Sequence, residues 1–415
     1  MSETFLNVKR LIVGDGSVLE NAVLHVQNGR IAGVSRANEI SLPEGANIIH
    51  GETLLPGMID AHVHLAYSGA IEARAFRAEA SEMSYPKLAL RAARYARETL
   101  EWGVTAVRDL NAPGGVIIDL RDAINAGYVA GSRMRACGLG LSVTGGHMDK
   151  GGWGDHVALR DMTYPCDGAL EWQAGVRTQV KRGADVIKIN LCGGSFRDWQ
   201  HPYKQEMDES EIIAAITEAH RLEKRVAAHT SGGSTVNMAV KAGLDSVEHG
   251  RWLDDECLDL MAEKNCYYVP TLRVQENHFE HSWEAQNANA NSIKWLELGR
   301  EAMWDSLTRA KKAGVKIVTG TDAGFMLPHG LSNHHEMELL IRGGLSALEA
   351  ITAATQTAAE LLDMPDIGTL EVGKIADLVL VDGNPLDDIR VLQDKKNLRV
   401  FQNGLEVSRA SGGHL

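Results

Sequence analysis

Apolar and polar positions alternate in short runs along the first fifty residues. FLNVKRLIV, AVLHVQNGRIAGV and ANIIH are rich in β-branched residues, have strand length, and are separated by the turn signals DGS and NGR. The same alternation returns near the other end in IADLVLVDG, LRVFQNG and LEVSR. The pattern predicts strands at both ends, meeting as a small β-sandwich domain built from residues 1–56 and 371–415.

Between them the pattern changes. Eight short apolar runs read as buried parallel strands: GMIDAHVH, VTAVRDL, RMRACGL, VIKINL, VAAHT, SVEHG, YYVPTL and KIVTGTD. Most are separated by amphipathic helical stretches such as YPKLALRAARYARETLEWG and DESEIIAAITEAHRLEK. Strand and helix alternating eight times predicts a (β/α)8 TIM barrel, of the α/β class, over residues 57–370. An open doubly wound sheet is the alternative, and the count of eight favours closure. No GxGxxG follows the first strand of the middle region, so a dinucleotide site has no support; GDGSV and GGSTV read as turns.

Composition narrows the class. The chain has 415 residues, 44% of them hydrophobic, and a net charge of −13 with both signs interspersed. That disfavours nucleic acid or an anionic membrane as partner. Five cysteines without CxxC spacing suit a reduced, cytoplasmic protein better than a disulfide scaffold. MSETFLNVKR shows no cationic segment leading into an apolar one, and no apolar run reaches membrane-spanning length. The expectation is a soluble cytoplasmic enzyme or binding protein acting on a small molecule.

Candidate chemistry sits at the strand ends. In LLPGMIDAHVHLA, His62 and His64 are two apart, so on a strand they share a face. Alone, such a pair is more often two unrelated polar residues. In a barrel of this type, though, the reactive groups gather at the C-terminal ends of the strands. There the chain carries His62 and His64 on run one, Lys188 in run four, His229 on run five, His249 on run six and Asp322 on run eight. Six such side chains on one rim suggest a metal site. Lys188 inside an apolar run is costly as an ammonium. As a neutral amine it can react with carbon dioxide to a carbamate, whose two oxygens can bridge two cations. Histidine, aspartate and carbamate ligands make zinc the default among divalent ions.

This motif set resembles the amidohydrolase superfamily, and within it the members with two metals bridged by a carboxylated lysine. The likeness runs from LLPGMIDAHVHL to VGKIADLVLVDGNPL. It implies that His62, His64 and Asp322 hold the more buried ion, that His229 and His249 hold the more exposed one, and that Lys188 bridges both together with a hydroxide. Asp322 would take a proton from the attacking water and deliver it to the leaving nitrogen. The mononuclear deaminases of the superfamily usually carry His-x-x-Glu after strand five; here AHTSGG puts Gly232 at that position, which disfavours deamination. The family commonly assembles as homo-oligomers.

Within the superfamily the chain is most similar to Xaa-Pro and Xaa-Arg dipeptidases, with imidazolonepropionase and phenylurea or carbamate hydrolases as cousins. LSVTGGHMDKGG resembles the family's TGGH loop, implying that His147 is a catalytic residue facing the substrate, either polarising the scissile carbonyl or binding a carboxylate. Gly193 and Gly194 would let backbone approach it. HGLSNHHE, from His329 to Glu336, resembles a pattern after strand eight, or starts a helix capped by Ser332 or Asn333. One departure stands out: Met207 falls near where the dipeptidases carry a tyrosine, with Tyr203 four residues earlier. Arg197, Arg251 and Arg273 each follow or sit at a strand end and could bind a carboxylate, none preferred over the others. His278 and His281 read as a solvated helix rim rather than a second metal pair. The reading is a binuclear zinc-type hydrolase of an amide bond in a dipeptide or N-acyl amino acid. Carbamates, ureas and cyclic amides are the alternative substrates, and a catalytically dead scaffold is disfavoured because no ligand is missing.

Overall fold

The predicted alternation at the N-terminal end becomes β1 (Glu3–Ile12), β2 (Val18–Gln27), β3 (Arg30–Arg36) and β4 (Ile48–Pro56) in the computed structural model, which describes residues 3–149, 162–194 and 201–408. The middle of the chain supplies β5 (Met58–Val63), β6 (Val104–Asp109), β7 (Arg133–Ala136), β8 (Leu141–Ser142), β9 (Tyr164–Pro165), β10 (Val186–Asn190), β11 (Arg225–Gly232), β12 (Ser246–Trp252) and β13 (Tyr267–Val269). The last strands are β14 (Leu378–Val381), β15 (Leu398–Gln402) and β16 (Leu405–Glu406).

Both chain ends enter a single seven-stranded mixed sheet, ordered β16-β15-β14-β4-β1-β2-β3. The seam is the antiparallel β4–β14 pair, with Leu54 opposite Leu380 and Pro56 opposite Leu378. Alternation decides which face is buried: Leu6, Val8, Leu11, Leu24, Leu54, Leu378 and Phe401 pack into one apolar cluster.

The middle strands pair in parallel, as βαβ connections require. β5, β6 and β7 form one sheet, and β13-β12-β11-β10-β8-β9 another. β5, β6 and β10 are buried along their whole length, which explains their unbroken apolar character. The helix Glu209–Arg221 begins where the sequence signals it: Asp208 accepts from the Glu211 amide at 3.0 Å and Glu211 accepts from the Asp208 amide at 2.8 Å.

The eighth apolar run differs from a regular strand. Residues 317–323 form no regular strand: isolated parallel bridges, Tyr268–Ile317 on one side and Val63–Ala323 on the other, mark their place, and backbone bonds such as Ala61 N–H to the Thr319 carbonyl and Asp322 N–H to the His62 carbonyl join them to β5. Side chains replace part of the ladder here. Thr319 Oγ1 donates to the Ile59 carbonyl at 2.9 Å, and the Asp60 carboxylate accepts from the Thr321 amide and hydroxyl at 3.1 and 2.7 Å. Two glycines permit the close approach. A Cβ on Gly320 would lie 2.9 Å from His62 Cβ, and one on Gly324, whose φ is +98°, would lie 2.1 Å from the His64 carbonyl oxygen. Among the described residues no helix is long and apolar enough to cross a membrane, and all five cysteines are buried thiols outside any disulfide.

Candidate active site

His62, His64, His147, Lys188, His229, His249 and Asp322 all line one cleft. They come from β5, the loop after β8, β10, β11, β12 and the end of the eighth run, and only the fold brings them together. The donor atoms of His62, His249 and Asp322 lie within 4.8 Å of one another. Asp322 Oδ1 is 3.0 Å from His64 Nε2 and 3.6 Å from His62 Nε2. The rings of His229 and His249 are 4.7 Å apart, and His147 stacks on His229 at 3.9 Å.

Three of the imidazoles are aimed from behind. His62 Nδ1 donates to Glu248 Oε2 at 2.8 Å, His64 Nδ1 to the Asn111 carbonyl at 3.3 Å, and His249 Nδ1 is hydrogen-bonded to Thr271 Oγ1 at 2.7 Å. A neutral imidazole that donates through Nδ1 keeps its Nε2 lone pair for a cation. His249 and Asp322 carry positive φ values of 70° and 65°, and β-branched Thr271 one of 53°. Non-glycine residues resist that conformation, so this backbone strain is concentrated around the donors.

The site's electrostatics follow from burial. Loss of solvation lowers His62 to about 4 and takes His229 and His249 well below the ordinary histidine value, so all three are neutral at neutral pH. Burial also lowers Lys188 to about 8, and its Nζ has no hydrogen-bond partner among the described residues. His229 Nε2 is likewise without one. Burial opposes charge on Asp322, but the His64 hydrogen bond and the neighbouring imidazoles outweigh it and hold the carboxyl below the usual range. The same contest at Glu248 is won by the Arg108 guanidinium, then by His62, which hold it at about 2. Burial lowers His147 to about 3, leaving a neutral ring whose backbone N–H donates to Glu206 at 3.1 Å.

These residues fit divalent ions. Neutral imidazoles at His62, His229 and His249, an ionised carboxylate at Asp322 and a buried amine at Lys188 form a donor set that is costly when nothing satisfies it.

Other expectations change on contact with the structure. Met207 is fully buried in the core, and Tyr203 packs edge-on against Trp252 at 5.6 Å; neither is among the described residues that line the cleft. His278 is no solvated rim residue: it is buried, lines the cleft and holds Gln286 at 2.7 Å. Helical periodicity placed it correctly on one face but could not tell which way the helix turns. Ser332 and Asn333 cap nothing; Gly330 occupies the cap position, Ser332 donates to the Pro328 carbonyl and Asn333 to the Ile59 carbonyl. Of the three arginines, Arg251 lines the cleft, Arg273 turns away to Glu280 and Asn277, and Arg197 lies outside the described residues. Tyr67, Asn111, Asn190, Val274 and Phe325 also line the cleft and went unnoticed in the sequence, where none differs from an ordinary core or loop residue.

An α/β chain with convergent histidines, a lysine and an aspartate on parallel strands defines a hydrolase class. The chain belongs to the amidohydrolase family, which it matches over residues 53–406. It is 31% identical to the ochratoxinase of Aspergillus niger over 437 aligned positions, covering 99% of this chain and 87% of that one. The crystal structure of a Xaa-Pro dipeptidase with methionine bound in its active site superposes with a TM-score of 0.88 at 34% identity, over 98% of this chain and 99% of that one. A prolidase complexed with N-methylphosphonate-L-proline superposes at 0.85 with 29% identity, over 99% and 100%.

Proposed function

We propose that this chain is a binuclear metal hydrolase that cleaves the amide bond of a dipeptide or N-acyl amino acid. The observation that carries the reading is Lys188: a buried amine without a partner among the described residues, in the same cleft as six histidines and an aspartate. His62, His64 and Asp322 would hold one ion and His229 and His249 the other, with carboxylated Lys188 between them; zinc suits these donors. Bound there, the ions supply Lewis acidity, lowering the pKa of water and polarising a carbonyl.

The chain's own groups do the rest. Asp322 is ionised at neutral pH, so it can accept the proton of the attacking water and return it to the leaving nitrogen. His147 is neutral and faces the cleft, suited to hydrogen-bond the substrate carbonyl rather than to act as a cation. Tyr67, Leu110, Val274 and Phe325 give the cleft an apolar wall for a side chain of the substrate. Similarity to structures holding methionine and a proline derivative supports an α-amino acid as leaving group. The same reading takes residues 57–370 as a closed (β/α)8 barrel and residues 1–56 with 371–415 as a second domain. The bridges of residues 317 and 323 to β13 and β5 support that closure.

The test pairs metal analysis with substrate screening of dipeptides and N-acyl amino acids. Two ions per chain in the native protein and release of one amino acid are expected, with both lost in Lys188→Ala. Less than about one tightly held ion would remove the bridge from the mechanism.

A further inference from the structure

Arg251 stands two residues beyond His249 on β12 and lines the same cleft. Its guanidinium is tethered on one side. Nε donates to Gln275 Oε1 at 3.0 Å and Nη1 to Ser231 Oγ at 3.3 Å. Gln275 is itself fixed, because its amide nitrogen donates to the Leu296 carbonyl at 3.0 Å and so leaves the oxygen for Arg251. Room for the side chain comes from Gly299 in the helix Ala290–Ala313: a Cβ there would lie 2.8 Å from Arg251 Cδ. The tethers are neutral. Among the described residues no carboxylate lies within 4 Å of this guanidinium, whereas Arg108, Arg121, Arg133, Arg273 and Arg300 each have one. A half-buried cation held by neutral acceptors in a substrate cleft is left with charge and donors to satisfy.

Resting on the amide-hydrolase reading above, we infer that Arg251 binds the carboxylate of the substrate's leaving half, and so selects substrates with a free α-carboxylate. The chemistry fits. Guanidinium and carboxylate pair as forks, and Arg251 has donors beyond those its tethers use. In an N-acyl amino acid the carboxylate carbon lies about 4 Å from the scissile carbonyl carbon. Arg251 is two residues from His249 and lines the same cleft, so its guanidinium and the imidazole open on one space. Asp322, the carboxylate that lines the cleft among the described residues, is taken up by His64 and His62 and leaves Arg251 to the ligand. His278, neutral because burial lowers it to about 4, borders this end of the cleft without adding a competing charge.

The test uses the metal-loaded protein and two probes that differ only at the carboxyl group, N-acetyl-L-phenylalanine and N-acetyl-L-phenylalaninamide. Turnover and calorimetric binding are read separately. The native protein is expected to favour the acid by about 30-fold or more in kcat/KM, the scale of a charged hydrogen-bonded pair, and Arg251→Gln to bring the ratio within about threefold. Arg251→Lys, which keeps the charge but not the fork, should give an intermediate ratio, which a misfolded variant would not. An acid preference that survives in Arg251→Gln overturns the assignment. Equal cleavage of both probes by the native protein also overturns it, while leaving the amide-hydrolase reading intact. If neither probe is cleaved but the acid alone binds, and Arg251→Gln loses that binding, the carboxylate site stands and the amide-hydrolase reading falls.

Discussion

His62 is held by a chain of groups that the sequence scatters widely. Glu248 accepts from its Nδ1, and Arg108 reaches Glu248 at 2.7 Å while donating to the Ala61 carbonyl at 2.6 Å and to Ser246 at 3.1 Å. Glu248 is fully buried, so this carboxylate is tolerable only with its partners in place. Glu248→Gln keeps the shape and removes the charge; metal affinity, read by chelator competition, is expected to fall about 10- to 100-fold with the fold retained. Arg108→Met leaves the carboxylate buried without its cation and is expected to cost about 3–5 kcal/mol in urea denaturation. The histidine pair, Lys188 and Asp322 were legible because each breaks an apolar run. Glu248 and Arg108 break apolar runs too, but their pairing was not legible: two charges 140 positions apart say nothing about each other until strands β6 and β12 bring them together.

At the level of elements, the loop after the eighth run sets the position of Asp322 and His64 together. Gly324→Ala would push a methyl into the His64 carbonyl and strain a φ of +98°. A loss of about 1–3 kcal/mol in unfolding free energy is expected, together with weaker metal retention. The helix Leu331–Arg342 locks this region to the strands. His334 Nε2 donates to the Trp102 carbonyl at 2.8 Å, and Glu336 accepts from the Leu272 and Arg273 amides at 2.9 and 2.6 Å. Burial lowers His334 to about 4 against an ordinary 6.5, the Trp102 bond opposing it. The unfolded chain therefore binds the proton more tightly, so this histidine's contribution is complete above pH 6.5 and is lost as pH falls toward 4. The loss is about 3 kcal/mol at its limit. Urea midpoints at pH 7 and pH 5 should drop less in His334→Gln than in the native chain. The HGLSNHHE stretch thus reads as a structural clamp, a role hidden in the sequence because its partners are backbone carbonyls and amides far along the chain.

For the molecule as a whole, the seven-stranded sheet ties the two ends through β4 and β14. Truncation after residue 377 removes β14, β15 and β16, exposes Leu54 and leaves β4 as an edge; loss of soluble, cooperatively folding protein is expected on expression. Metal removal acts through the other half. Ions at 100 times their dissociation constant stabilise the folded state by about 2.7 kcal/mol, so chelation should lower the thermal midpoint by several degrees and re-addition should restore it.

The sequence by itself determined the α/β class, most of the strands, the strand character of both ends and the cast of candidate metal donors. These depend on local periodicity and on polar residues interrupting apolar runs, both readable along one dimension. Tertiary structure decided the irregular path of residues 317–323, the stacking of His147 on His229, the burial of His278 and the isolation of Arg251 from any carboxylate among the described residues. Each depends on which distant groups share a small volume, and hydrogen bonding and desolvation act through that proximity rather than through position in the chain.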